Sequence, residues 1–539
     1  MADLIIMNAA VYTMDDELPR AEAVAVENDK IIAVGNNEDI MKFKEAKTEV
    51  VDANGGMVLP GFIDAHCHPT LCAFFENGLY IDQDLTVDEI LAAAKKQVED
   101  HPEKNSYFGI GYNECFFDEK GPTKELLDEI CSDKPIFFLG SSGHEGWCNS
   151  KTLELANVTK DTKDPLPGFQ YFERDEKGEP TGHIVEVSTE TILFNAVDFF
   201  GAEEIYQGYI DTSKSYSSMG VTTTIDCGAF EWMEPICIPT IEKLVKNGDY
   251  KQRLFGSAMV ETAAKAGPAL EVLKERSKKY NSDKYRVNTY KIILDGTLET
   301  RTASLSKPYD EDGRMVEPLF SGKKIEEVFL DAAYAGFDIN AHAIGDKAIH
   351  ESLRGAAAVR NAGIKNVRIG NSHTEYVQKE DRKLFGEYDV VANTSGVWHY
   401  GNSDLDGIIG ERAKDLFTMK DIIEAGGIMT MGSDRPVDEV GPEPLRGIEI
   451  GMTRKLAGVK NAPVLPPEDQ KLSLQECLKA YTCNAAYQVR MEEKIGRLKE
   501  GMYADIVVLE KDLFDVPAEE IHDVPIEMTV WNGETVYKK

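Results

Sequence analysis

Short apolar runs that end in a polar residue recur through the middle of the chain. Segments with apolar residues three or four positions apart separate most of them, for example residues 325–334, 347–362 and 420–424. This alternation of strand and helix patterns is what a parallel (β/α)8 barrel requires. The pattern therefore predicts an α/β fold built on a TIM-like barrel. The eight runs are residues 57–68, 220–227, 253–260, 288–295, 337–342, 367–373, 390–395 and 428–434.

Both ends of the chain carry a different pattern, with short β-type runs separated by turn residues. At the C-terminal end, Asn532-Gly533 is a strong hairpin signal. Because neither end has enough strands for a stable sheet domain of its own, we expect the two to combine into one β-sandwich. The gap between the first two barrel strands is too long for one helix, which predicts an α/β insertion with strands near 107–110 and 136–139. The predicted boundaries are 1–58 with 486–539 for the β-sandwich, 59–485 for the barrel and 70–215 for the insertion.

The composition describes an acidic globular protein. The chain of 539 residues is 42% hydrophobic and has a formal net charge of −35. Because this charge opposes binding to phosphate backbones and anionic lipids, we expect no nucleic acid and no membrane as partner. The nine cysteines show no CxxC spacing, and neither a cationic leader nor an apolar run of about 18 residues occurs. These features predict a cytoplasmic protein acting on a small molecule, and they leave a homodimer open.

Two histidines close the first apolar run of the predicted barrel. The run ends in Asp64-Ala-His66-Cys-His68, and residues two apart on a strand point to the same side. Neutral imidazole is a common ligand of zinc, and barrel enzymes place their chemistry at the C-terminal ends of the strands. A single pair of this kind also occurs by chance on surface strands. The hypothesis of a metal site therefore requires ligands from other strands.

Other predicted strands carry polar side chains that can supply those ligands. Lys291 lies in the fourth strand, His342 ends the fifth, His373 the sixth and Asp434 the eighth. The C-terminal ends of parallel barrel strands meet at one mouth, so these side chains are expected to converge on the histidine pair. Any one of them alone can be a core or surface residue. As a set, they indicate a site for one or two divalent metal ions, zinc in the first place, with manganese or iron as alternatives.

Lys291 is surrounded by apolar residues in Asn288-Thr-Tyr-Lys-Ile-Ile-Leu294. Lysine is rarely buried without a partner, and burial lowers its pKa. A neutral amine can add carbon dioxide to form a carbamate, and that anion can bridge two cations. The alternative is a lysine that reaches solvent or pairs with Asp295. Asp434 follows a glycine turn and can both bind metal and transfer a proton.

These motifs together resemble the amidohydrolase superfamily. The string Pro60-Gly-Phe-Ile-Asp-Ala-His-Cys-His68, a barrel lysine, two later histidines at strand ends and a final aspartate carry the resemblance. It narrows to the amidohydrolase 3 group, which includes N-substituted formamide deformylases, and it covers nearly the whole chain. The further motifs are residues 1–35, Gly111-Tyr112, Ser142–Ser150, Pro180–Gly182 with Glu186, Asp295–Leu298, Arg301–Ala303, Gly432–Val437 and Gly496–Asp505.

The resemblance implies a role for each strand-end residue. His66 and His68 would bind one ion, His342 and His373 the other, Lys291 would bridge the ions as a carbamate, and Asp434 would be the catalytic residue beside the hydroxide. Two positions depart from the relatives. The sixth strand has Asn371-Ser372-His373 where Ile-Glu-His is frequent, and the seventh ends in Ser395–Tyr400 where Gln-Pro is frequent. We therefore expect different hydrogen bonds near His373 and a rebuilt pocket wall.

The implied activity is metal-dependent hydrolysis of a C–N bond in an amide, formamide or cyclic amide. Metal binding lowers the pKa of water to roughly 7, which supplies hydroxide at neutral pH. Asp434 would then carry the proton to the leaving nitrogen. Two alternatives stay open. One is a mononuclear deaminase of the same superfamily, which does not depend on a carbamate, and the other is a catalytically silent binding or regulatory protein on this fold.

Substrate contacts are expected from the insertion and from the loop after the seventh strand. Clustered aromatic side chains in these segments indicate a flat or apolar substrate group. For each aromatic residue, packing inside the insertion's own core is the alternative. The predicted substrate-binding residues are Tyr112, His144, Trp147 and His399, with Phe116, Phe117, Trp398 and Tyr400 as aromatic neighbours.

Overall fold

The structure is a computed structural model that describes the chain except residues 76–77, 118–120, 142, 144, 166, 168–169, 402 and 438–440. The described residues form two compact units. The first comprises Met1–His68, Ser213–Gly228 and Lys251–Lys539, and the second comprises Pro69–Thr212 and Ala229–Tyr250. None of the described helices is long and apolar enough to cross a membrane.

The strands are numbered along the chain. They are β1 Leu4–Met7, β2 Ala10–Tyr12, β3 Arg20–Ala21, β4 Ala23–Glu27, β5 Lys30–Gly35, β6 Glu49–Asp52, β7 Met57–Pro60, β8 Phe62–Cys67, β9 Leu79–Tyr80, β10 Tyr107–Tyr112, β11 Ile136–Gly140, β12 Glu145–Cys148, β13 Tyr171–Arg174, β14 Pro180–Val185, β15 Val221–Asp226, β16 Arg253–Val260, β17 Tyr285–Ile293, β18 Asp338–Ala343, β19 Ile369–His373, β20 Val390–Ser395, β21 Ile428–Gly432, β22 Ile506–Leu509, β23 Ile526–Trp531 and β24 Glu534–Lys538.

The α-helices are numbered in the same way. They are α1 Asn37–Ile40, α2 Pro69–Phe75, α3 Val87–Asp100, α4 Lys124–Asp128, α5 Ser150–Leu155, α6 Val187–Ala196, α7 Ala202–Ser218, α8 Glu234–Asn247, α9 Ala266–Lys279, α10 Lys323–Tyr334, α11 Asp346–Asn361, α12 Leu384–Glu387, α13 Ser403–Ile409, α14 Met419–Glu424, α15 Pro444–Thr453, α16 Leu474–Ala480 and α17 Cys483–Gln488. Short 3-10 helices include Glu114–Phe116 and Gly396–Trp398.

Eight parallel strands form the barrel sheet, in the order β8, β15, β16, β17, β18, β19, β20 and β21. Each of the eight predicted runs supplies one of these strands, so the predicted (β/α)8 barrel is confirmed. Helices α10, α11 and α14 occupy the three segments with helical periodicity. Hydrogen bonds connect the first strand to the residues that follow the last, since Asp434 N donates to His66 O at 2.7 Å. Ser433 N also donates to Asp64 Oδ1 at 2.9 Å.

The termini build two more sheets, ordered β5-β4-β1-β6 and β24-β23-β22-β7-β2-β3. In the second sheet the C-terminal β22 pairs antiparallel with β7, with Ile506 opposite Pro60. These strands lie in the same compact unit as the barrel. A buried ion pair joins them to the barrel, because Arg253 of β16 donates to both carboxylate oxygens of Asp505 at 2.8 and 3.1 Å. The predicted domain boundaries stay a prediction.

The second unit contains residues 70–212 of the predicted insertion, and its sheet has the order β13-β14-β12-β11-β10-β9. The two strands expected in this region are β10 and β11, which pair in parallel. The unit also includes Ala229–Tyr250 with helix α8. Aromatic packing joins this segment to the rest of the unit, since the Trp232 ring stacks on Phe194 with centroids 4.2 Å apart.

Candidate metal centre

Three side chains converge at the C-terminal end of the barrel. His66 is the second-to-last residue of β8, His68 follows the strand directly, and Asp434 follows β21. Asp434 Oδ1 lies 3.3 Å from His66 Nε2 and 3.4 Å from His68 Nε2. Among the described residues, these three form the group of His, Cys, Asp or Glu side chains whose ligand atoms all lie within 4.8 Å of one another.

Hydrogen bonds hold the first two imidazoles in the orientation that a metal ligand needs. His66 Nδ1 lies 2.9 Å from the amide oxygen of Asn393, and His68 Nδ1 lies 2.9 Å from the carbonyl oxygen of Gly228. Both acceptors require the proton on Nδ1, which leaves the Nε2 lone pair of each ring available. These are the two nitrogen atoms that face Asp434.

The second histidine pair lies next to the first. The ring centroid of His373 is 4.7 Å from that of His66 and 4.4 Å from that of His342. Its Nδ1 atom lies 3.9 Å from Asp434 Oδ2, and His342 Nδ1 lies 3.4 Å from Asp295 Oδ1. The structure thus brings together all four histidines that the strand-end pattern singles out.

Buried polar atoms without a hydrogen-bond partner in the described chain lie at this end of the barrel, and their chemistry suits binding of a cation. Asp434 Oδ1, His342 Nδ1 and His373 Nδ1 are buried and make no hydrogen bond within the described residues. An unsatisfied buried polar atom costs about 1–3 kcal/mol, and more when it is charged. Imidazole nitrogen with carboxylate oxygen is a donor set for zinc, and it also suits manganese or iron. The residues present therefore fit a divalent metal ion.

The charge states also favour metal binding. Burial lowers the pKa of His66 and His373 well below the usual range, and neighbouring positive groups lower it further. For Asp434, burial alone would raise the pKa, but His66 and His68 bring it below the usual value. His68 differs, because Asp434 outweighs burial and raises the pKa of this imidazole. Two neutral imidazoles and an ionised carboxylate are thus ready to accept a metal ion at neutral pH.

Lys291 lies in the same barrel end and is 1% exposed. Its Nζ donates to Ser372 Oγ at 2.9 Å, and Ser372 Oγ donates to Asn340 Oδ1 at 2.9 Å. Burial lowers the pKa of the amine. The lysine neither reaches solvent nor pairs with Asp295. Ser372, which directly precedes His373, thus connects the lysine to Asn340.

Comparison with known proteins agrees with this geometry. The model of the Amidohydrolase family matches residues 49–537. The chain belongs to this amidohydrolase family. The match includes every strand of the barrel and every residue of the metal centre described above.

Two relatives and one solved structure illustrate the likeness. The exoenzymes regulatory protein AepA of Pectobacterium carotovorum is 34% identical over 374 residues, which are 68% of this chain and 79% of AepA. N-substituted formamide deformylase of Arthrobacter pascens is 25% identical over 558 residues, covering 100% of this chain and 99% of the deformylase. The crystal structure of an uncharacterized metal-dependent hydrolase from Pyrococcus horikoshii OT3 shares the fold, with a TM-score of 0.77 at 23% identity over 96% of this chain and 99% of that one. The family and the likeness to the deformylase support a hydrolase.

Three residues outside the predicted set of metal ligands lie against the candidate site. Trp398 stacks on His373 with centroids 5.5 Å apart and an interplanar angle of 8°. Asp295 accepts backbone hydrogen bonds from Ser304, Ile344 and Gly345 at 2.8 to 3.1 Å. The sequence offered a signal for each, because Trp398 stands in an aromatic run and Asp295 opens the Asp-Gly-Thr-Leu motif. The third is Asn393, a polar residue within the buried strand β20.

The predicted substrate-binding residues of the amidohydrolase have the contacts of core residues. Tyr112 and Trp147 are fully buried in the hydrophobic core of the insertion, and Trp147 Nε1 donates to Thr123 O at 2.8 Å. His399 is 1% exposed, lies 2.8 Å from Thr394 Oγ1 through Nε2 and stacks on a phenylalanine ring. His144 lies outside the described residues. Contact of these four residues with substrate stays a prediction.

Proposed function

We propose that this amidohydrolase cleaves a carbon–nitrogen bond of a small molecule, in an amide, formamide or cyclic amide, with the help of a bound divalent metal. The convergence of His66 Nε2, His68 Nε2 and Asp434 Oδ1 within 4.8 Å of one another carries the proposal. The likeness to N-substituted formamide deformylase over the whole chain supports the choice of bond. Zinc is the proposed metal, with manganese and iron as alternatives.

The proposed ligands extend beyond this first group of three. His342 and His373 would hold a second ion, and Lys291, as a carbamate, would bridge the two positions. When bound, a divalent ion lowers the pKa of water to roughly 7 and polarises a substrate carbonyl. Ser372 orients the Lys291 amine through its hydroxyl group.

Asp434 is the proposed proton carrier. Its backbone N–H is tied to His66 O, which fixes the carboxylate at the end of the barrel. The low pKa of this carboxyl leaves it ionised and able to accept a proton at a carboxylate oxygen before passing it to the leaving nitrogen. Transfer of this kind contributes typically about 10²–10⁴-fold to the rate.

The Trp398 ring covers one face of His373, and an apolar or aromatic substrate group would pack well against this ring.

Metal analysis combined with a substrate panel tests the proposal. Purified protein is analysed for bound transition metals, stripped with a chelator and reloaded with zinc or manganese. It is then assayed against N-formyl amines, N-acyl amino acids, cyclic amides and esters. We expect stoichiometric metal and hydrolysis of several related amides, because an apolar pocket separates close homologues by only about 1–3 kcal/mol. Lack of bound metal, with no hydrolysis after reloading, would refute the proposal.

The same experiment separates the two alternatives. One ion per chain beside an unmodified Lys291, with release of ammonia from an amino-substituted ring, identifies a mononuclear deaminase. An intact metal centre without turnover of any compound favours a binding or regulatory protein. The likeness to the exoenzymes regulatory protein AepA is the observation that keeps this last alternative in view.

A further inference from the structure

Glutamate side chains and a tyrosine lie at one end of the insertion sheet. Tyr112 ends β10 opposite Gly140, which ends the parallel neighbour β11. Glu145 begins the next strand, β12, and pairs with Val185 at the end of β14. Glu190 lies one turn into α6, the helix that follows β14 after a single residue. The strand register therefore places these side chains at the same end of one sheet.

Glu190 is a buried carboxyl to which the described residues supply no counter-charge. Its side chain belongs to a residue only 4% exposed, and its Oε1 atom accepts no hydrogen bond from the part of the chain that the structure describes. Burial raises the pKa of this carboxyl well above its usual range, and the carboxylates of Glu186 and Glu145 raise it further. The charged groups that act on it within the described chain are thus negative, and no described group donates to Oε1.

Two neighbouring groups also have unused hydrogen-bonding atoms. His183 Nε2 lies 3.0 Å from Glu145 Oε2, but its Nδ1 is buried without a partner among the described residues. The Tyr112 hydroxyl is also buried, and no described residue forms a hydrogen bond with it. Burial raises the pKa of Tyr112, and so do the carboxylates of Glu114, Glu145 and Glu190, which shows that the hydroxyl lies in the same negative field. Native proteins rarely leave buried polar atoms unpaired, so these atoms call for a partner in addition to the described protein groups.

The spacing of these groups does not suit a metal ion. Among the described residues, the ligand atoms that lie within 4.8 Å of one another belong to His66, His68 and Asp434 in the barrel, and no such group includes Glu145 or Glu190. A primary ammonium group is larger than a bare metal ion, and its three N–H donors can reach acceptors that are farther apart. We propose that this end of the insertion sheet binds an organic ammonium group, with the carboxylates of Glu190 and Glu145 as its acceptors.

Direct binding measurements test this site without reference to turnover. The probe is n-butylammonium chloride, titrated calorimetrically into full-length protein in its metal-loaded form. Butyltrimethylammonium chloride has the same charge and chain but no N–H donor. We expect saturable binding of butylammonium and at least about tenfold weaker binding of the trimethylated probe, since hydrogen bonds to charged groups are among the strong ones. No saturable binding, or equal binding of both probes, would overturn the proposal.

Three variants assign the acceptors. Glu190→Gln and Glu145→Gln should each weaken butylammonium binding by about tenfold or more. Glu179→Gln is the matched control, because Glu179 is exposed in the turn between β13 and β14, at the opposite end of that hairpin. Circular dichroism verifies the fold of each variant. If Glu190→Gln does not fold, Glu145→Gln decides, since the Glu145 side chain is 36% exposed and tolerates replacement. Unchanged affinity in a folded Glu190→Gln or Glu145→Gln variant contradicts the assignment.

Discussion

Asp434 contacts His66 twice, through its backbone and through its side chain. Its N–H donates to the carbonyl oxygen of His66 at 2.7 Å, and its Oδ1 lies 3.3 Å from His66 Nε2. The first contact connects the last barrel strand to the first, and the second joins two proposed metal ligands. Assembly of the barrel and assembly of the metal centre therefore depend on the same neighbouring residues. Because the backbone contact does not involve the carboxylate, side-chain variants can alter the chemistry without disconnecting the strands.

Replacing Asp434 with asparagine should remove proton transfer while leaving the backbone contact and most of the metal in place. We expect kcat to fall by about 10²–10⁴-fold with a modest change in KM. Steady-state kinetics with an amide identified in the substrate panel measures the effect, and metal content is determined in parallel. Asp161→Asn, at an exposed position, serves as control. Turnover near that of the unmodified protein would remove Asp434 from the mechanism.

Replacing Lys291 with alanine should empty or weaken at least one metal position, because the amine that would carry the bridging carbamate is lost. We expect fewer metal ions per chain and a matching loss of activity. Elemental mass spectrometry of the digested protein measures the metal content. Short carboxylates such as acetate or propionate should restore part of both. A Lys291→Ala protein that keeps its full metal content and rate would show that no carbamate is needed.

Replacing Asp295 with alanine should destabilise the barrel end. Its carboxylate accepts hydrogen bonds from the backbone N–H groups of Ser304, Ile344 and Gly345. Hydrogen bonds to charged groups contribute about 1.5–3 kcal/mol each, and the buried donors would be left unpaired, so we expect the free energy of unfolding to fall by about 3–5 kcal/mol. Urea denaturation of the metal-free protein gives this value. The exposed Asp16→Ala variant should change it by less than about 0.5 kcal/mol, and a similar small change for Asp295→Ala would disprove the role.

The buried imidazole of His399 should make stability depend on pH. Burial, with Arg454 nearby, lowers the pKa of His399 well below its usual range, so the folded protein keeps it neutral. Below about pH 6.5 the unfolded chain binds a proton that the folded chain does not, and stability falls as pH falls, by up to about 1.4 kcal/mol per pH unit.

The variant His399→Gln tests this dependence. Glutamine does not titrate and can still form a hydrogen bond with Thr394. The quantity to measure is the unfolding free energy of the original protein minus that of the variant. This difference should fall by about 2 kcal/mol when the pH is lowered from about 6.5 to 5. Other titrating groups cancel in this difference. Parallel pH curves for the two proteins would mean that folding does not shift the pKa of His399, and would contradict this prediction.

The residues of the candidate metal centre could be found without coordinates because of a rule of topology. Parallel strands in a barrel end at one mouth, so His66, Lys291, His342, His373 and Asp434 had to approach one another once their strands were identified. Their hydrogen-bond partners could not be found in this way. The Ser372 hydroxyl faces Lys291 because β17, β18 and β19 lie side by side with a particular register, and register is not visible in a single strand.

Assignment of the aromatic residues shows the same limit. Tyr112 and Trp147 stand in segments that look equally suited to a pocket wall or a core, and only the packing of β10, β11 and β12 buries them in the insertion. Trp398 and His399 are adjacent in the chain, yet one covers His373 and the other stacks on Phe417. The amino-acid sequence by itself determined the barrel and the polar residues that close its strands, because periodicity and strand direction are local properties. Burial, hydrogen-bond partners and charge states were decided only by the tertiary structure, because each depends on neighbours supplied by distant parts of the chain.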